Sequence, residues 1–304
     1  MSDGLVAYMN GEWIDSEDVK IDRRDRGFRV ADTVFDVART FDGVIYRKQQ
    51  HLDRFYRSLK FVRIDPGLTR DEMGDIWEES VERNRHLLAA LGDFYIYPFV
   101  TRGPGRWAYE AGPPTVVVDT YQVDFDRFAR LFDVGSRGVI AKTRSYPHTS
   151  VEPKVKHHSR MNFNMAELEA GDVDDGAFPI LLDQEGNVTE GTVNSVFLVT
   201  NGVIKTPGDS ELLQSESRAS VIELAEALGI PCVQEAVQPY DVYTADEMFV
   251  TFTGPGVLPM TKVDRRDIAD GKPGPITQQL MAALSEKVGV DIPGQAQRFA
   301  QSST

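Results

Sequence analysis

The sequence predicts an α+β protein of two domains, because helical and strand patterns alternate along a chain long enough for more than one core. The chain has 304 residues, of which 41% are hydrophobic, and this suits one large or two medium domains. We assign residues 1–123 to an N-terminal α+β domain and residues 137–304 to a C-terminal domain. Residues 124–136 have no strong pattern, and we expect them to form the interdomain linker.

The spacing of apolar residues predicts the elements of the N-terminal domain. Asn10-Gly11 between two apolar runs is typical of a hairpin turn, and Thr69 with Glu72 three residues later forms a capping box at the start of a helix. The predicted elements are a hairpin at 5–14, a strand pair around the turn Asp42-Gly43, helices at 49–63 and 69–91, and strands at 94–103 and 115–123.

The C-terminal domain shows more strands than helices. Met161, Met165 and Leu168 recur at helical spacing and predict a helix that starts at Met161. The other predicted elements are a strand at 138–146, three short strands within 179–207, a helix at 215–228, a strand pair within 246–264, a helix after Gly274-Pro275 and a frayed tail from Gly294.

Composition limits the class of partner and the compartment. Lys and Arg number 33 against 47 Asp and Glu, a formal net charge of −14, which argues against nucleic acid or an anionic membrane as a partner. The only cysteine, Cys232, excludes an intramolecular disulfide and a cysteine metal cluster, and we expect no metal site. The first residues have neither a basic nor an apolar signal region, and no run has membrane-spanning length. We expect a cytoplasmic protein.

Lys156 lies just before the helix predicted from Met161. Pro153 favours extended backbone ahead of it, so the side chain can point into a cleft from a fixed backbone. The neighbouring cations His157, His158 and Arg160 favour the neutral, nucleophilic form of its amine, which a Schiff-base lysine needs. Taken alone, the stretch is equally typical of a solvated basic turn.

Three more positions suit a phosphorylated pyridine. Glu190, next to a glycine and ahead of an apolar strand, can hold a proton on a pyridine nitrogen. Ser217 lies in the first turn of a predicted helix, and Thr253-Gly254 begins a turn, and both offer backbone N–H groups to phosphate. The ordinary alternatives are an exposed glutamate, an N-cap and a tight turn. An amine, a carboxylate and two phosphate-binding turns together indicate pyridoxal 5'-phosphate.

The chain resembles the class IV (fold-type IV) pyridoxal-phosphate-dependent aminotransferases, which include branched-chain, D-amino-acid and (R)-amine transaminases and aminodeoxychorismate lyase. The resemblance covers nearly the whole chain. Its blocks, in order, are Tyr8-Met9-Asn10-Gly11, Asp25-Arg26-Gly27-Phe28 with Val34-Phe35-Asp36, His51-Leu52-Asp53-Arg54, Lys156 thirteen residues before Glu169-Ala170, Thr189-Glu190-Gly191, Glu216-Ser217-Arg218, and Asp246-Glu247-Met248-Phe249 with Thr253-Gly254. It implies a fold like that of D-amino-acid aminotransferase: a small N-terminal α/β domain and a larger C-terminal domain with a β-barrel-like core.

The resemblance also implies roles for individual residues. Lys156 would hold the cofactor as a Schiff base and move the substrate proton, while Arg54 would bind the cofactor phosphate and Glu190 the pyridine nitrogen. The further cofactor contacts that it implies are Thr192, Val193, Glu216, Ser217, Thr253 and Gly254. Lys154 competes with Lys156, but its spacing to the Glu-Ala pair is off by two. The family is generally dimeric, and we expect a homodimer.

The residues expected to contact substrate are Arg29, Phe35, Val37, Tyr97 and Arg106. Tyr97 stands where branched-chain enzymes usually have arginine, Val37 where they have glycine, and Phe35 where D-amino-acid transaminases have tyrosine. Val37, the loop 101–103 and the Pro-x-Val-Lys sequence before Lys156 resemble (R)-amine transaminases. We hypothesise that Arg29 and Arg106 bind the substrate carboxylate. The alternative is that both are solvated surface arginines.

These features predict a transaminase that moves an amino group between a D-amino acid or (R)-primary amine and a 2-keto acid, pyruvate or 2-oxoglutarate. A branched-chain L-amino-acid aminotransferase is the alternative. Lys156-His157 followed by Arg160 also resembles aminodeoxychorismate lyase, so a lyase on the same fold stays open. A non-catalytic protein on this scaffold is a last alternative, against which the presence of the lysine, glutamate and phosphate residues argues.

Overall fold

The computed structural model describes residues 4–300 and divides into two compact units. The first comprises residues up to Val123 together with Val155–Ser159, and the second comprises Asp124–Lys154 and the chain from Arg160. Each unit mixes helices and strands, as the α+β prediction requires.

The first unit contains one antiparallel sheet and four helices in the described residues. Its strands are β1 (Val6–Met9), β2 (Glu12–Asp15), β3 (Thr33–Phe35), β4 (Ala38–Phe41), β5 (Val44–Ile45), β6 (Phe94–Thr101) and β7 (Val116–Gln122). Its helices are α1 (Arg26–Val30), α2 (Lys48–Val62), α3 (Arg70–Asn84) and α4 (Leu88–Leu91), with short 3-10 turns at Ser16–Asp18, Arg85–Leu87 and Ala108–Glu110. The strand order is β2-β1-β7-β6-β4-β5, and β3 also pairs with β6.

Local sequence signals place several of these elements. Asn10 and Gly11 both have positive φ (51° and 99°), as a two-residue hairpin turn requires. The Thr69 capping box is present, with Thr69 accepting from the Glu72 N–H and the Glu72 carboxylate accepting from the Thr69 N–H. The helix predicted over 69–91 is shorter than expected. The buried Asn84 donates to the Val6 carbonyl at 2.9 Å, and α3 ends there.

The core of the first unit lies between the helices α2 and α3 and one face of the sheet. Alternate residues of β6, Phe94, Ile96 and Val100, are fully buried, and they belong to one apolar cluster with Phe55 and Trp77 of the helices. The intervening residues of β6 are half-buried. They lie on the opposite face, because side chains alternate along a strand.

The second unit contains nine strands and six helices in the described residues. The strands are β8 (Ser136–Ile140), β9 (Phe178–Leu182), β10 (Val188–Gly191), β11 (Ser195–Thr200), β12 (Val203–Thr206), β13 (Cys232–Gln234), β14 (Glu247–Phe252), β15 (Gly256–Val263) and β16 (Arg266–Asp267). The helices are α5 (Leu131–Val134), α6 (Met161–Val173), α7 (Glu216–Ala227), α8 (Pro239–Thr244), α9 (Pro275–Val288) and α10 (Ile292–Ala300).

Six of these strands close into a ring. The order β10-β9-β8-β15-β14-β11 returns to its start because β10 also pairs with β11. Strand β8 is parallel to both β9 and β15, and the other pairs of the ring are antiparallel. The β-barrel-like core that the resemblance implies is therefore confirmed.

Several sequence predictions for the second unit are wrong. Residues 179–207 contain four strands, β9 to β12, where three were expected. Residues 294–300 of the tail expected to be frayed belong to helix α10, in which Ile292 and Ala296 are buried and Phe299 stacks on Phe125 at 5.5 Å; the last four residues of that tail lie outside the described residues. Burial of one face of the helix stabilises this segment.

Helix α6 begins at Met161 as predicted, but its apolar stripe lies on the exposed side. Met161, Met165 and Leu168 are 68%, 45% and 65% exposed. The helix buries Ala166 and Ala170 instead. Small residues let this helix approach the sheet closely, so the large apolar side chains are left at the surface of the chain.

Residues 124–136, predicted as the interdomain linker, include the short helix α5. Residues 124–136 fall within the second unit. Phe128 and Phe132 are buried there and pack edge to face at 5.9 Å.

No helix within residues 4–300 is both long and apolar enough to cross a membrane.

Candidate active site

Lys156 lies in an extended segment that joins the edge of the sheet of the first unit. The Phe35 N–H donates to the Lys156 carbonyl at 3.0 Å, and the His158 N–H donates to a carbonyl of β3 at 3.2 Å. His157 lies between them and bridges to β3 in antiparallel register. Because side chains alternate along a strand, Lys156 and His158 point to one face of the sheet and His157 to the other.

Four side chains form what we term the Lys156 face: Phe35, Tyr97, Lys156 and His158. Lys156 Nζ lies 4.6 Å from the centroid of the Phe35 ring. That ring is 4.5 Å from the His158 imidazole and 5.5 Å from the Tyr97 ring, centroid to centroid. Tyr97 Oη and His158 Nε2 are 2.8 Å apart, which is a hydrogen-bond distance. Of the residues expected to contact substrate, Phe35 thus lies beside the lysine and Tyr97 lies beside Phe35.

The competing lysine has different surroundings. Lys154 is exposed and lies 3.5 Å from the Glu152 carboxylate. Lys156 is half-buried, and its backbone N–H donates to Ser58 Oγ at 3.3 Å. An amine held against an aromatic face on a fixed backbone suits a covalent role better than an amine in an exposed ion pair.

Arg54 lies in a buried cluster with Asp36 and His51. Arg54 Nε and Nη2 donate to the two Asp36 oxygens at 2.9 and 2.6 Å, and His51 Nδ1 lies 2.8 Å from Asp36 Oδ1. All three residues are at most 4% exposed. Burial alone would raise the pKa of Asp36, but the charges of Arg54 and His51 outweigh it and hold that pKa well below its usual range. The carboxylate therefore fixes the direction of the guanidinium.

Asp25 fixes the segment that carries Arg29. Its carboxylate is 1% exposed and accepts from the hydroxyls of Thr101 and Thr115 at 2.8 and 2.7 Å and from the Gly27 N–H at 2.6 Å. It thereby caps helix α1. A Cβ on Gly27 would lie 2.5 Å from a methyl carbon of Thr101, so only glycine fits this close approach.

The structure brings the two candidate carboxylate-binding segments together without burying their arginines. Arg26 Nη1 donates to the Arg106 carbonyl at 3.1 Å, which ties α1 to the loop after β6. Arg29 and Arg106 are both exposed, and the Arg106 guanidinium lies 5.3 Å from the centroid of the Trp107 ring. Val37 is half-buried at the break between β3 and β4.

In the second unit, Glu190 lies in a row of polar side chains across three strands. It is opposite Ser195, which is opposite Thr251, so the three side chains share a face of the barrel wall. The Ser195 and Thr251 hydroxyls are buried and have no hydrogen-bond partner among residues 4–300, and the same is true of the Asn194 amide. Buried polar atoms are normally satisfied, so this row suits a polar ligand beside the carboxylate.

The start of helix α7 is tied to Glu190. The Leu213 N–H donates to Glu190 Oε1 at 3.2 Å. Ser215 caps the helix by accepting from the backbone N–H three residues later. Glu216 is buried and Ser217 is half-buried in the first turn, where backbone N–H groups and the helix dipole favour an anion.

The remaining cofactor candidates follow β10 and β14. Thr192 is buried and Val193 is 48% exposed. The Thr192 carbonyl accepts from the Arg160 guanidinium, which also lies 4.3 Å from the centroid of the Phe163 ring. Arg160, expected from sequence to be a cation beside the lysine, is thus held in the second unit.

Thr253 and Gly254 lie in the three-residue turn between β14 and β15, where Phe252 pairs with Gly256. Thr253 is half-buried and Gly254 is buried. A short turn of this kind can present backbone N–H groups to an anion.

Each of the two units, taken by itself, contains groups that suit pyridoxal 5'-phosphate. The first unit supplies an amine against an aromatic ring and a buried, oriented guanidinium. The second supplies a carboxylate, unsatisfied buried hydroxyls in register with it, and the start of a twelve-residue helix. An amine, a carboxylate and phosphate-binding groups are what this cofactor requires of a protein.

Sequence reasoning missed the partners of the predicted site residues. His158 was expected only as a nearby cation, yet it bonds to Tyr97. The spacing of two from Lys156 would have placed it on the same face, had residues 156–158 been recognised as a strand. Ser195 and Thr251 gave no sequence signal, because hydroxyl residues are common in strands.

Comparisons with known proteins agree with this chemistry. The sequence model of the family described as amino-transferase class IV matches residues 33–263. A Methanocaldococcus jannaschii protein, provisionally named a branched-chain-amino-acid aminotransferase, is 36% identical over 91% of this chain and 94% of its own length. The D-alanine aminotransferase of Bacillus licheniformis is 28% identical over 93% of this chain and 97% of its own.

A similar solved structure carries a cofactor derivative. It is the T.th. branched-chain amino acid aminotransferase complexed with N-(5'-phosphopyridoxyl)-L-glutamate, with a TM-score of 0.85 and 27% identity. The match covers 95% of this chain and 96% of that chain.

Proposed function

Because the chain belongs to the class IV aminotransferases, we propose that it moves an amino group between a D-amino acid or (R)-primary amine and a 2-keto acid, pyruvate or 2-oxoglutarate. The family membership makes the chain a pyridoxal-phosphate-dependent aminotransferase that acts on amino and keto compounds. The choice of amino donor is the part that we propose.

Each candidate residue takes a distinct task in this proposal. When bound, pyridoxal 5'-phosphate supplies the aldehyde that condenses with amines and a ring that accepts electrons as the substrate proton leaves. Lys156 would hold the cofactor through Nζ and would move the proton at the substrate Cα. Glu190 holds a proton on the pyridine nitrogen. Arg54 and the start of α7 bind the phosphate.

One observation supports the D-amino-acid or (R)-amine assignment above the others. Position 97 lies beside Phe35 on the Lys156 face and is a phenol bonded to His158. Branched-chain enzymes usually have an arginine at this position, as noted from the sequence. A neutral side chain there removes a fixed charge from the Lys156 face, and we infer that this admits donors that such an arginine would disfavour.

A branched-chain L-amino-acid aminotransferase is the second candidate. It is supported by the name of the 36% identical M. jannaschii relative and by that of the similar T.th. structure. The D-alanine aminotransferase of B. licheniformis supports the first candidate at 28% identity. The names of relatives therefore support both, and the donor must be tested on this chain.

The half-reaction tests the proposal directly. Purified holoenzyme is mixed separately with D-alanine, (R)-1-phenylethylamine and L-leucine, without a keto acid, and the visible absorbance of the lysine-bound cofactor is followed. Loss of absorbance with D-alanine or the (R)-amine and not with L-leucine is expected. Loss mainly with L-leucine would replace the proposal with the branched-chain assignment. Pyruvate formed from aminodeoxychorismate without any acceptor would indicate a lyase.

Arg29 and Arg106 are proposed to bind the substrate carboxylate. The tie between α1 and the loop after β6 supports this, because it keeps the two arginines on adjacent segments. An Arg29→Leu variant should raise the KM for amino and keto acids by about tenfold, the loss of one charged hydrogen bond. An unchanged KM would make Arg29 a surface residue.

We further propose that the enzyme is a homodimer. The exposed stripe of α6 supports an interface, because Met161, Met165 and Leu168 are large apolar side chains on one helix. Light scattering should give twice the chain mass, and Met165→Asp should shift the protein towards the monomer. A wild-type monomer would contradict the proposal.

A further inference from the structure

The hydrogen bond between Tyr97 and His158 has no role in the tasks assigned above. Both residues lie on the Lys156 face, and the distance between Tyr97 Oη and His158 Nε2 is 2.8 Å. The imidazole is also 4.5 Å from the Phe35 ring, which contacts Lys156 Nζ. Any group that reaches the lysine along this ring therefore meets the phenol and imidazole as well.

The position of His158 is set by the backbone. Its N–H bonds to β3, as the Lys156 carbonyl does two residues earlier. The two side chains therefore keep a fixed spacing on one face. The imidazole has Phe35 on one side and the Tyr97 ring, nearly parallel at an interplanar angle of 20°, at 6.2 Å.

Asp119, on the neighbouring strand β7, has several hydrogen-bond partners of its own. Asp119 is opposite Tyr97 in the register of β6 and β7. It accepts from Ser16 Oγ at 2.6 Å and from the Thr120 N–H at 2.8 Å. It also bonds to the Tyr121 hydroxyl, and burial together with this carboxylate raises the pKa of Tyr121.

The direction of the proton between Tyr97 and His158 decides what Tyr97 offers to a substrate. If the phenol donates to Nε2, its oxygen presents only lone pairs. If Nε2–H donates to the phenol oxygen, the Tyr97 O–H is released to donate elsewhere. A carboxylate needs a donor and selects the second arrangement, whereas an amine without a carboxylate makes no such demand.

We propose that His158 is a positioning residue that turns the Tyr97 hydroxyl towards the substrate carboxylate, so that the Lys156 face accepts amino acids as well as simple amines. The inference rests on the proposed function. Tyr97 supplies one directed donor in addition to the charges of Arg29 and Arg106, because the two oxygens of a carboxylate accept several hydrogen bonds.

The test is a double-mutant cycle with two donors. His158→Phe keeps a ring against Phe35 and removes the imidazole nitrogens, Tyr97→Phe removes the hydroxyl, and the double variant removes both. Steady-state KM and kcat are measured for D-alanine and for (R)-1-phenylethylamine. The visible absorbance of the bound cofactor checks that each variant is folded and loaded, and His158→Gln tests rescue by a side chain that can still donate.

We expect His158→Phe to raise the KM for D-alanine about tenfold or more, the loss of a hydrogen bond to a charged group. The KM for the amine should change less than about threefold. Adding His158→Phe to Tyr97→Phe should have no further effect on D-alanine, since His158 acts through Tyr97. His158→Gln should recover part of the loss.

Equal losses for both donors, or additive effects in the double variant, would overturn the inference. Failure of the proposed function gives a different result: wild-type enzyme that uses L-leucine and neither of the two donors. The cycle is then run with L-leucine and 3-methylbutylamine, its analogue without the carboxylate. A selective loss on L-leucine would support the role of His158, and equal losses would refute it.

Discussion

Replacement of Asp36 by asparagine tests the buried cluster that orients Arg54. The carboxylate is 0% exposed and Arg54 is 4% exposed, with Arg54 Nη2 2.6 Å from Asp36 Oδ1. Asp36→Asn keeps the shape of the side chain and removes its charge, so the buried guanidinium loses the carboxylate with which it forms an ion pair. Breaking a buried ion pair in this way costs about 3–5 kcal/mol.

The chain provides a control with the same geometry at the surface. Arg70 Nε lies 2.6 Å from Asp53 Oδ1, but these side chains are 33% and 49% exposed. Asp53→Asn should lower the free energy of unfolding by at most about 1 kcal/mol. Urea unfolding of the holoenzymes at fixed protein and cofactor concentrations gives the comparison, because bound cofactor contributes to the measured stability.

The pH dependence of the difference in unfolding free energy between wild type and Asp36→Asn is a second readout. The pKa of Asp36 is lowered in the folded protein, with burial opposing the shift and Arg54 and His51 producing it. The stability that it contributes is fully present above the unfolded pKa of about 3.9. That stability is lost as the pH falls from there through the depressed folded pKa. The difference in the free energy of unfolding between wild type and Asp36→Asn should therefore hold from about pH 7 to about pH 4 and narrow below that.

If Asp36→Asn lowers the free energy of unfolding by no more than Asp53→Asn does, this reasoning is refuted. Burial would then not make the ion pair of Arg54 with Asp36 stronger than the exposed pair. A gap that widens in acid would refute the sign of the pKa shift. The Kd for pyridoxal 5'-phosphate, measured by titration of the cofactor-free variant, should also rise, because the guanidinium loses the group that directs it.

Two further predictions use matched variants. Lys156→Ala should abolish the visible absorbance of lysine-bound cofactor and lower the turnover by at least about 10³-fold. The control Lys154→Ala should leave both the absorbance and the turnover unchanged. Cofactor absorbance retained in Lys156→Ala would refute the assignment of Lys156. Gly27→Ala should destabilise the protein by about 1–3 kcal/mol, because the new Cβ would lie 2.5 Å from a carbon of Thr101. Gly208→Ala, with no neighbouring atom within 4 Å, should change the midpoint of urea unfolding little, and equal effects of the two would contradict the steric argument.

The sequence predicted best where the signal is local. The Thr69 capping box and the Asn10-Gly11 turn each depend on residues that are neighbours in the chain, and the structure contains both. The strand-rich second half was also predicted, but the closure of its barrel was expected only from the resemblance. Closure depends on the pairing of β10 with β11 and of β8 with β15, and the second pair joins residues more than a hundred positions apart.

Sequence patterns were not sufficient where contacts between distant residues decide the structure. The periodicity of Met161, Met165 and Leu168 gives the helix, but which face is buried depends on Ala166 and Ala170 fitting against the sheet. Helix α10 is stabilised by the stacking of Phe299 on Phe125. Tyr97 and His158 are 61 positions apart, so their hydrogen bond could not be anticipated from either segment alone.

The pairing of residues 156–158 with β3 also limits where the chain can be cut without splitting the first unit. Val155 is buried in the core of the first unit, so the chain returns to that unit once after Val123 and leaves it again after Ser159. A fragment that ends at Val123 would lack an edge strand, a core side chain and the lysine itself. Truncation, domain exchange with a relative or circular permutation must therefore keep both segments of the first unit together. A substitution at 155–159 will change the unfolding of the first unit, although the other residues of that unit precede it in the chain by more than 30 positions.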